Sequence, residues 1–218
     1  MKAVILRLEG PLQAWATQSK LGVRDTDREP SKSGVLGMVG AALGMDHSDT
    51  TTLARLAALA LAVRVDRPGS LLRDFHTAGA GTFRSNPKYF VHGTSSCVPG
   101  NRYYLQGASF VAALAGDPAL VDEIAQALKS PRWPLYLGRR ACPPATPVLM
   151  GTAEGTAEQA VRHARPAEDA QPPYRLIIEA GIGEPGDPRY DQPLSFCHGD
   201  RRYALRYVRT DWLLETPA

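Results

Sequence analysis

The sequence predicts an α+β fold, and three observations carry the prediction. Short apolar runs rich in β-branched or aromatic residues recur at Ala3, Leu59, Tyr103 and Pro134, the mark of buried strands. Helical patterns fall between the first and second of these runs and between the third and fourth. A stretch from Leu71 to Arg102, with glycines, prolines, scattered aromatics and no period, separates the two halves. The resulting order is β-α-β, a long insertion, then β-α-β, which is that of a split βαβ, or ferredoxin-like, unit.

The first strand is AVILRLE, from Ala3. In MKAVILRLEGPLQ the charges of Arg7 and Glu9 come too soon for the apolar core of a signal peptide, and no apolar run nears the roughly 20 residues of a membrane span, so a cytoplasmic protein is expected. A loop from Gly10 to Pro30 follows. Unstructured loops of that length in compact domains are usually functional or disordered. A helix is expected from about Ser33 to Leu43. LALAVRVD, from Leu59, reads as the tail of a second short helix entering a strand, and YYLQGASFVAAL, from Tyr103, as a strand. DPALVDEIAQALKSP is the clearest helix: Asp117 caps it, Pro118 occupies its first turn, and Leu120, Ile124 and Leu128 recur on one face. PLYLG, from Pro134, reads as the fourth strand. Beyond about residue 145 the character changes. One short helix, Thr156 to His163, sits between proline-rich breaks, and strands are read at RLIIEA and YALRYVRTDWLL. This places a core domain over 1–145, with an insertion at about 68–102, and a small β-rich domain over 146–218.

With 218 residues, 44% hydrophobic and 22% charged, the chain can bury a substantial core. Its net charge of +3 permits a nucleic-acid partner. Cys97, Cys142 and Cys197 form no CxxC pair, and the five histidines show no HExxH spacing. The pattern calls for no metal and no cofactor.

PSKSGVLGMVGAALG, from Pro30, is the most unusual stretch. A glycine inside a helix costs roughly 0.8–1 kcal/mol relative to alanine, yet Gly34, Gly37 and Gly40 all fall inside this one, and Gly44 sits where a C-terminal cap belongs. On a helical wheel the glycines share one nearly bare face, opposite Val35, Leu36, Val39, Ala42 and Leu43. Such a face admits a close backbone: a neighbouring segment, a partner subunit or a nucleic acid. Ser31, Lys32 and Ser33 at the helix start suggest an anion site. Because Lys32–Ser33 precedes the glycines, this is not a Walker A loop.

Two further regions read as nucleic-acid contacts. The loop before the helix holds Gln13, Trp15, Gln18, Ser19, Lys20, Arg24 and Arg28, types that stack on bases and bind phosphate. From Arg67 to Tyr104 the bases Arg67, Arg73, Arg84, Lys88 and Arg102 face a single acid, Asp74, and interleave with Phe75, Phe83, Tyr89, Phe90, Tyr103 and Tyr104. Basic charge interleaved with aromatics suits single-stranded RNA.

LRLEGPLQAW (from Leu6), RDTDREPSKSGVLGMVGAALG (from Arg24), LRDFHTAG (from Leu72) and YLGRRACPP (from Tyr136) together resemble the CasD family, the handle-binding subunits of the type I-E CRISPR Cascade complex, within the RAMP superfamily. The resemblance covers roughly Met1 to Pro147 and weakens from Thr152 onward. It implies a ferredoxin-like RAMP domain with a thumb-like insertion, binding of the 5′ handle of CRISPR RNA, and docking to the backbone subunit (CasC) and the large subunit (CasA) of the complex. It further implies a non-catalytic role in antiviral defence. The RNA-binding residues expected on this reading are Gln13, Trp15, Lys20, Arg24, Arg28, Ser31, Lys32, Ser33, Arg73, His76, Arg84, Lys88, Arg102, Arg139 and Arg140, the last two as a phosphate clamp after Gly138. The alternative is a metal-independent endoribonuclease cutting repeat RNA, with His76, Tyr104 and Lys88 available for acid–base roles. A purely structural adaptor is a third reading, against which the basic insertion argues.

Overall fold

The computed structural model describes residues 1–16, 19–20, 23–78, 98–181 and 183–217. The first half of the chain runs β1 (Lys2–Glu9), β2 (Leu12–Gln13), β3 (Ser19–Lys20), β4 (Val23–Arg24), α1 (Lys32–Leu43), α2 (Thr50–Ala57), β5 (Ala60–Arg67) and β6 (Ser70–Ala78). The second runs β7 (Val98–Gln106), β8 (Ser109–Gly116), α3 (Pro118–Lys129), β9 (Leu149–Glu154), α4 (Ala157–His163), β10 (Tyr174–Glu179), β11 (Asp187–Ser195) and β12 (Arg202–Leu213). Among the described residues no helix is long and apolar enough to cross a membrane.

Seven strands make one antiparallel sheet in the order β11–β12–β10–β5–β8–β1–β9. Strand β8, SFVAALAG, shows why its middle is nearly continuous in apolar residues: both faces are covered. Phe110, Ala112 and Leu114 point to the side packed by α1, α2 and α3, together with Val4, Leu6 and Leu8 of β1. Val111, Ala113 and Ala115 point to the other side, against α4. That second layer is built from small residues: Ala3 and Ala62 of the sheet meet Ala157, Ala160 and Ala164 at the helix, so α4 lies close. The period-two register of the sheet thus assigns each helix its face.

A second, smaller sheet is organised on β7. Strand β6 pairs with it along its whole length, from Ser70↔Gln106 to Ala78↔Val98. On its other edge β7 takes β2 and, in parallel, β4, which pairs with β3. The long loop from Gly10 to Pro30 therefore contributes short strands to this sheet.

Three expectations are corrected. PLYLG is not a strand. Pro134 has no N–H to give a ladder, and the chain curls on itself through Leu137 N–H to the Cys142 carbonyl and Gly138 N–H to Tyr136. The edge of β1 is instead taken by β9, whose sequence LMGTAE lacks a clear alternation. YYLQGASFVAAL is two strands in two sheets, broken at Gly107. The strands after residue 145 do not pair among themselves alone: β10 joins β5 (Ile177↔Val63), so β10, β12 and the unforeseen β11 extend the main sheet.

Candidate nucleic-acid interface

Helix α1 begins as the sequence suggests. Ser31 takes the N-cap position and its Oγ accepts from the Gly34 N–H at 3.3 Å. The anion at this helix start comes from within the chain, however. Asp191 Oδ2 of β11 accepts the Lys32 N–H at 2.7 Å, and Arg206 of β12 holds the same carboxylate at 2.6 and 2.9 Å. Lys32 is 1% exposed and its Nζ donates to Glu179 at 2.9 and 3.0 Å. Burial lowers the Lys32 pKa below the ordinary lysine range, although Glu179 pulls it up. Ser31 is buried as well. The expected anion site at 31–33 is thus corrected: Lys32 locks α1 to the C-terminal strands, and Ser31 is spent on the helix cap. Ser31 and Ser33 border a cleft, and of the three residues only Ser33 is half-buried rather than buried.

Gln13 and Trp15 are corrected in the same way. Gln13 is fully buried; its Nε2 donates to the Leu8 and Ala108 carbonyls, and its Oε1 accepts from Trp15 Nε1 at 2.9 Å. Trp15 is 1% exposed and belongs to the core. A base-stacking tryptophan needs an open ring face; this one is used against α1. A Cβ on Gly34 would lie 2.8 Å from Trp15 Cε3. On Gly40 it would meet Met45, and Gly44 caps the helix in the left-handed conformation. On Gly37 it would meet none of the described residues within 4 Å. The bare face is therefore mostly filled from inside the chain, and two alanine variants should differ in sign. Gly37→Ala should stabilise by about 0.5–1 kcal/mol. Gly34→Ala should destabilise, because overpacking a fixed ring costs about 1–3 kcal/mol. Urea unfolding of both reads this out, and equal shifts would contradict the role given to Trp15.

Beside the open glycine lies a cleft of about 330 Å³. Its walls come from α1, the segment 134–139, and the β11–β12 loop. Tyr136, Phe196 and Tyr203 supply aromatic surface; His47, Arg139 and Arg201 supply basic groups. Among the described residues no carboxylate lines it. Of these only Arg139 was singled out by the sequence. The available signal was the basic–aromatic run FCHGDRRY, from Phe196, which is not part of any spaced motif.

Arg139 itself is largely committed. Its Nη1 donates to the Tyr103 carbonyl at 2.9 Å, and its Nη2 to the Arg24 and Asp25 carbonyls at 2.8 Å each, while the guanidinium stacks 4.9 Å from the Tyr104 ring centroid. It pins segment 134–146 to β7 and β4, so the expected bidentate phosphate clamp is corrected at this residue. Arg140, Arg24 and Arg28 are exposed. Lys20 lies in β3.

The β6–β7 hairpin carries the remaining candidates. Strand alternation places Arg73 and Phe75 on one face, opposite Tyr103 and Asn101, and His76 on the other, opposite Gly100, in the same row as Arg102. Phe75 is 62% exposed, and Arg73 Nε donates to Asn101. His76 Nδ1 and Arg102 Nε are buried and meet no hydrogen-bond partner among the described residues. Arg84 and Lys88 fall outside the described residues. For the nuclease alternative, Tyr104 pairs with Leu72, four residues along β6 from His76, or about 13 Å at 3.3 Å per residue. Tyr104 is also buried beneath Arg139. The structure does not bring His76 and Tyr104 together.

A family model described as CRISPR-associated protein (Cas5) matches residues 3–209. The chain is 37% identical over 168 residues to the CRISPR system Cascade subunit CasD of Escherichia coli (strain K12), covering 72% of this chain and 73% of that one. A solved structure described as a CRISPR RNA-guided surveillance complex contains a chain that matches 99% of this one, and 91% of its own length, with a TM-score of 0.81 at 37% identity. A second, described as a crystal structure of a Cas protein, matches 99% of this chain and 97% of its own length with a TM-score of 0.74 at 35% identity.

Proposed function

The chain belongs to the Cas5 family of CRISPR-associated proteins, and from that premise we propose that it holds the 5′ handle of CRISPR RNA in a type I-E Cascade complex, without cutting it, and docks the CasC and CasA subunits there. The order β5–β8–β1–β9, with helices on both crossovers, supports reading its body as a split βαβ unit and the β6–β7 hairpin as a thumb.

The observation that carries the RNA reading is the pair of orphaned groups on one hairpin face, His76 Nδ1 and Arg102 Nε. A buried polar group without a partner costs about 1–3 kcal/mol. Such groups call for a partner, and none is found among the described residues. Phosphate oxygens and 2′-hydroxyls supply acceptors and donors at close spacing, and the exposed Arg73 and Phe75 add charge and a stacking face on the opposite side.

Binding should then be electrostatic. For single strands, log K against log salt falls with a slope of about −0.7 per phosphate neutralised. Removing Arg73 and Arg102 together should make the slope for repeat-derived RNA shallower by about one unit. An unchanged slope would take the hairpin out of the interface. In the same incubations the RNA should be recovered intact with and without EDTA; a discrete product would overturn the non-catalytic reading.

A further inference from the structure

We propose that the cleft beside α1 is a pocket for one unstacked nucleotide, with its base among Tyr136, Phe196 and Tyr203 and its phosphate at Arg201. This rests on the RNA-binding reading and goes beyond it by assigning a single-nucleotide subsite to residues away from the hairpin.

The glycine helix supplies the first reason. Gly34 makes room for Trp15, Gly40 for Met45, and Gly44 closes the helix. Gly37 has no such reason among the described residues: none of them comes within 4 Å of a Cβ placed there. Each helix-interior glycine costs about 0.8–1 kcal/mol relative to alanine. At Gly37 that cost keeps a wall of the cleft bare.

Size and lining supply the rest. About 330 Å³ is at the small end for ligand pockets, room for one nucleoside and not for a duplex. Aromatic rings from two distant parts of the chain meet there, and stacking on such rings is how unpaired bases are held. The charge is of one sign. Among the described residues no acidic side chain lines this cleft. By contrast, a small cavity under β11 is lined by Asp27, Glu29 and Asp191, and a hollow at 179–186 by Glu179 and Glu184. Arg201 is exposed and makes no ion pair among the described residues, so its charge is available at the rim.

The test uses the full chain and single-stranded RNA of the CRISPR repeat, intact and with each nucleotide in turn made abasic. Wild-type protein should show one position at which loss of the base weakens binding about tenfold, the scale of one base–aromatic stack. Gly37→Leu fills the cleft from its bare wall. It should melt no lower than wild type, bind intact RNA about tenfold more weakly, and no longer distinguish that abasic position. Arg201→Gln should weaken intact and abasic RNA alike. If Gly37→Leu loses its fold, Tyr203→Ala carries the same scan. RNA binding that is normal, with no abasic position coupled to the cleft variants, overturns the pocket and leaves the RNA reading standing. The same holds if only assembly with protein subunits suffers. No binding of repeat RNA at low salt, by folded wild-type protein, overturns both.

Discussion

Asp66→Ala is expected to destabilise the protein by about 3–5 kcal/mol, the cost of leaving a buried charge without its partner. Asp66 lies on β5 with its side chain fully buried. It accepts from Arg64 Nε at 2.6 Å and Nη2 at 3.3 Å, from Arg7 Nη1 at 2.9 Å, and from the Ala167 backbone N–H at 2.6 Å. Arg64 is wholly buried; its Nη1 reaches the Val161 and Ala164 carbonyls at the end of α4, and its guanidinium lies 5.3 Å from the Tyr174 ring centroid. One carboxylate therefore compensates two cations and anchors the chain leaving α4. Without it Arg64 stays in the low-dielectric layer between sheet and α4, unable to reach water except by unfolding that layer. Asp66→Asn keeps the shape and one acceptor oxygen and should cost less. Arg64→Met should also cost less, since Arg7 and the Ala167 N–H still hold Asp66. Urea midpoints for the three variants check the ranking, and limited proteolysis should find Asp66→Ala cut near 165–170. A midpoint for Asp66→Ala within error of wild type would mean that the cluster does not hold α4.

This cluster also marks where the sequence was legible. ALAVRVDR reads as a strand because Leu61, Val63 and Val65 alternate toward the helices, and the structure keeps that alternation. Two helices were legible through their caps, Ser31 and Asp117, each of which accepts a backbone N–H of its first turn. The purpose of the intervening charges was not legible. Arg64 and Lys32 look like surface cations in sequence, and only their partners, Asp66 with the α4 carbonyls and Glu179 across 147 residues, make burial tolerable. The same gap misassigned Gln13 and Trp15. Their residue types suit RNA contacts, but the Gln13 amide satisfies two carbonyls of the core and the indole N–H at once. The cleft stayed hidden for the opposite reason. His47, Tyr136 and Arg201 are each unremarkable locally, and only the fold brings them to one hollow beside Gly37. PLYLG failed because apolar composition says nothing about which backbone groups are already bonded.

The segment it belongs to carries the other large effect. Gly138→Ala is expected to cost about 3–5 kcal/mol, from about 1–3 kcal/mol of backbone strain together with lost packing and hydrogen bonds. Gly138 has φ +90°, a conformation that residues with a Cβ rarely adopt. A Cβ there would also run into the Ala14 carbonyl, lying 2.8 Å from its carbon and closer still to its oxygen. Ala14 cannot yield, because its N–H donates to the Leu137 carbonyl at 3.0 Å and it precedes the buried Trp15. The segment must therefore lift, drawing Leu137 from the core and loosening the three carbonyl contacts of Arg139. Cys142 gives a direct readout. It is fully buried, its N–H donates to the Arg139 carbonyl at 2.8 Å, and burial raises its thiol pKa, so it should resist alkylation in the wild-type protein. In Gly138→Ala it should be labelled many times faster under native conditions, as read by mass mapping of the Cys142 peptide. Tyr136, Gly138 and Arg139 also line the cleft, so RNA affinity should fall with stability. Arg140→Ala separates the two effects. It removes an exposed charge from the same segment, and should leave the urea midpoint within about 0.5 kcal/mol of wild type and Cys142 protected, while any phosphate contact made by Arg140 shows as a shallower salt slope. A Gly138→Ala protein with wild-type stability and a protected Cys142 would show that the segment can be held without the close approach to Ala14, and the account of this wall of the cleft would fail.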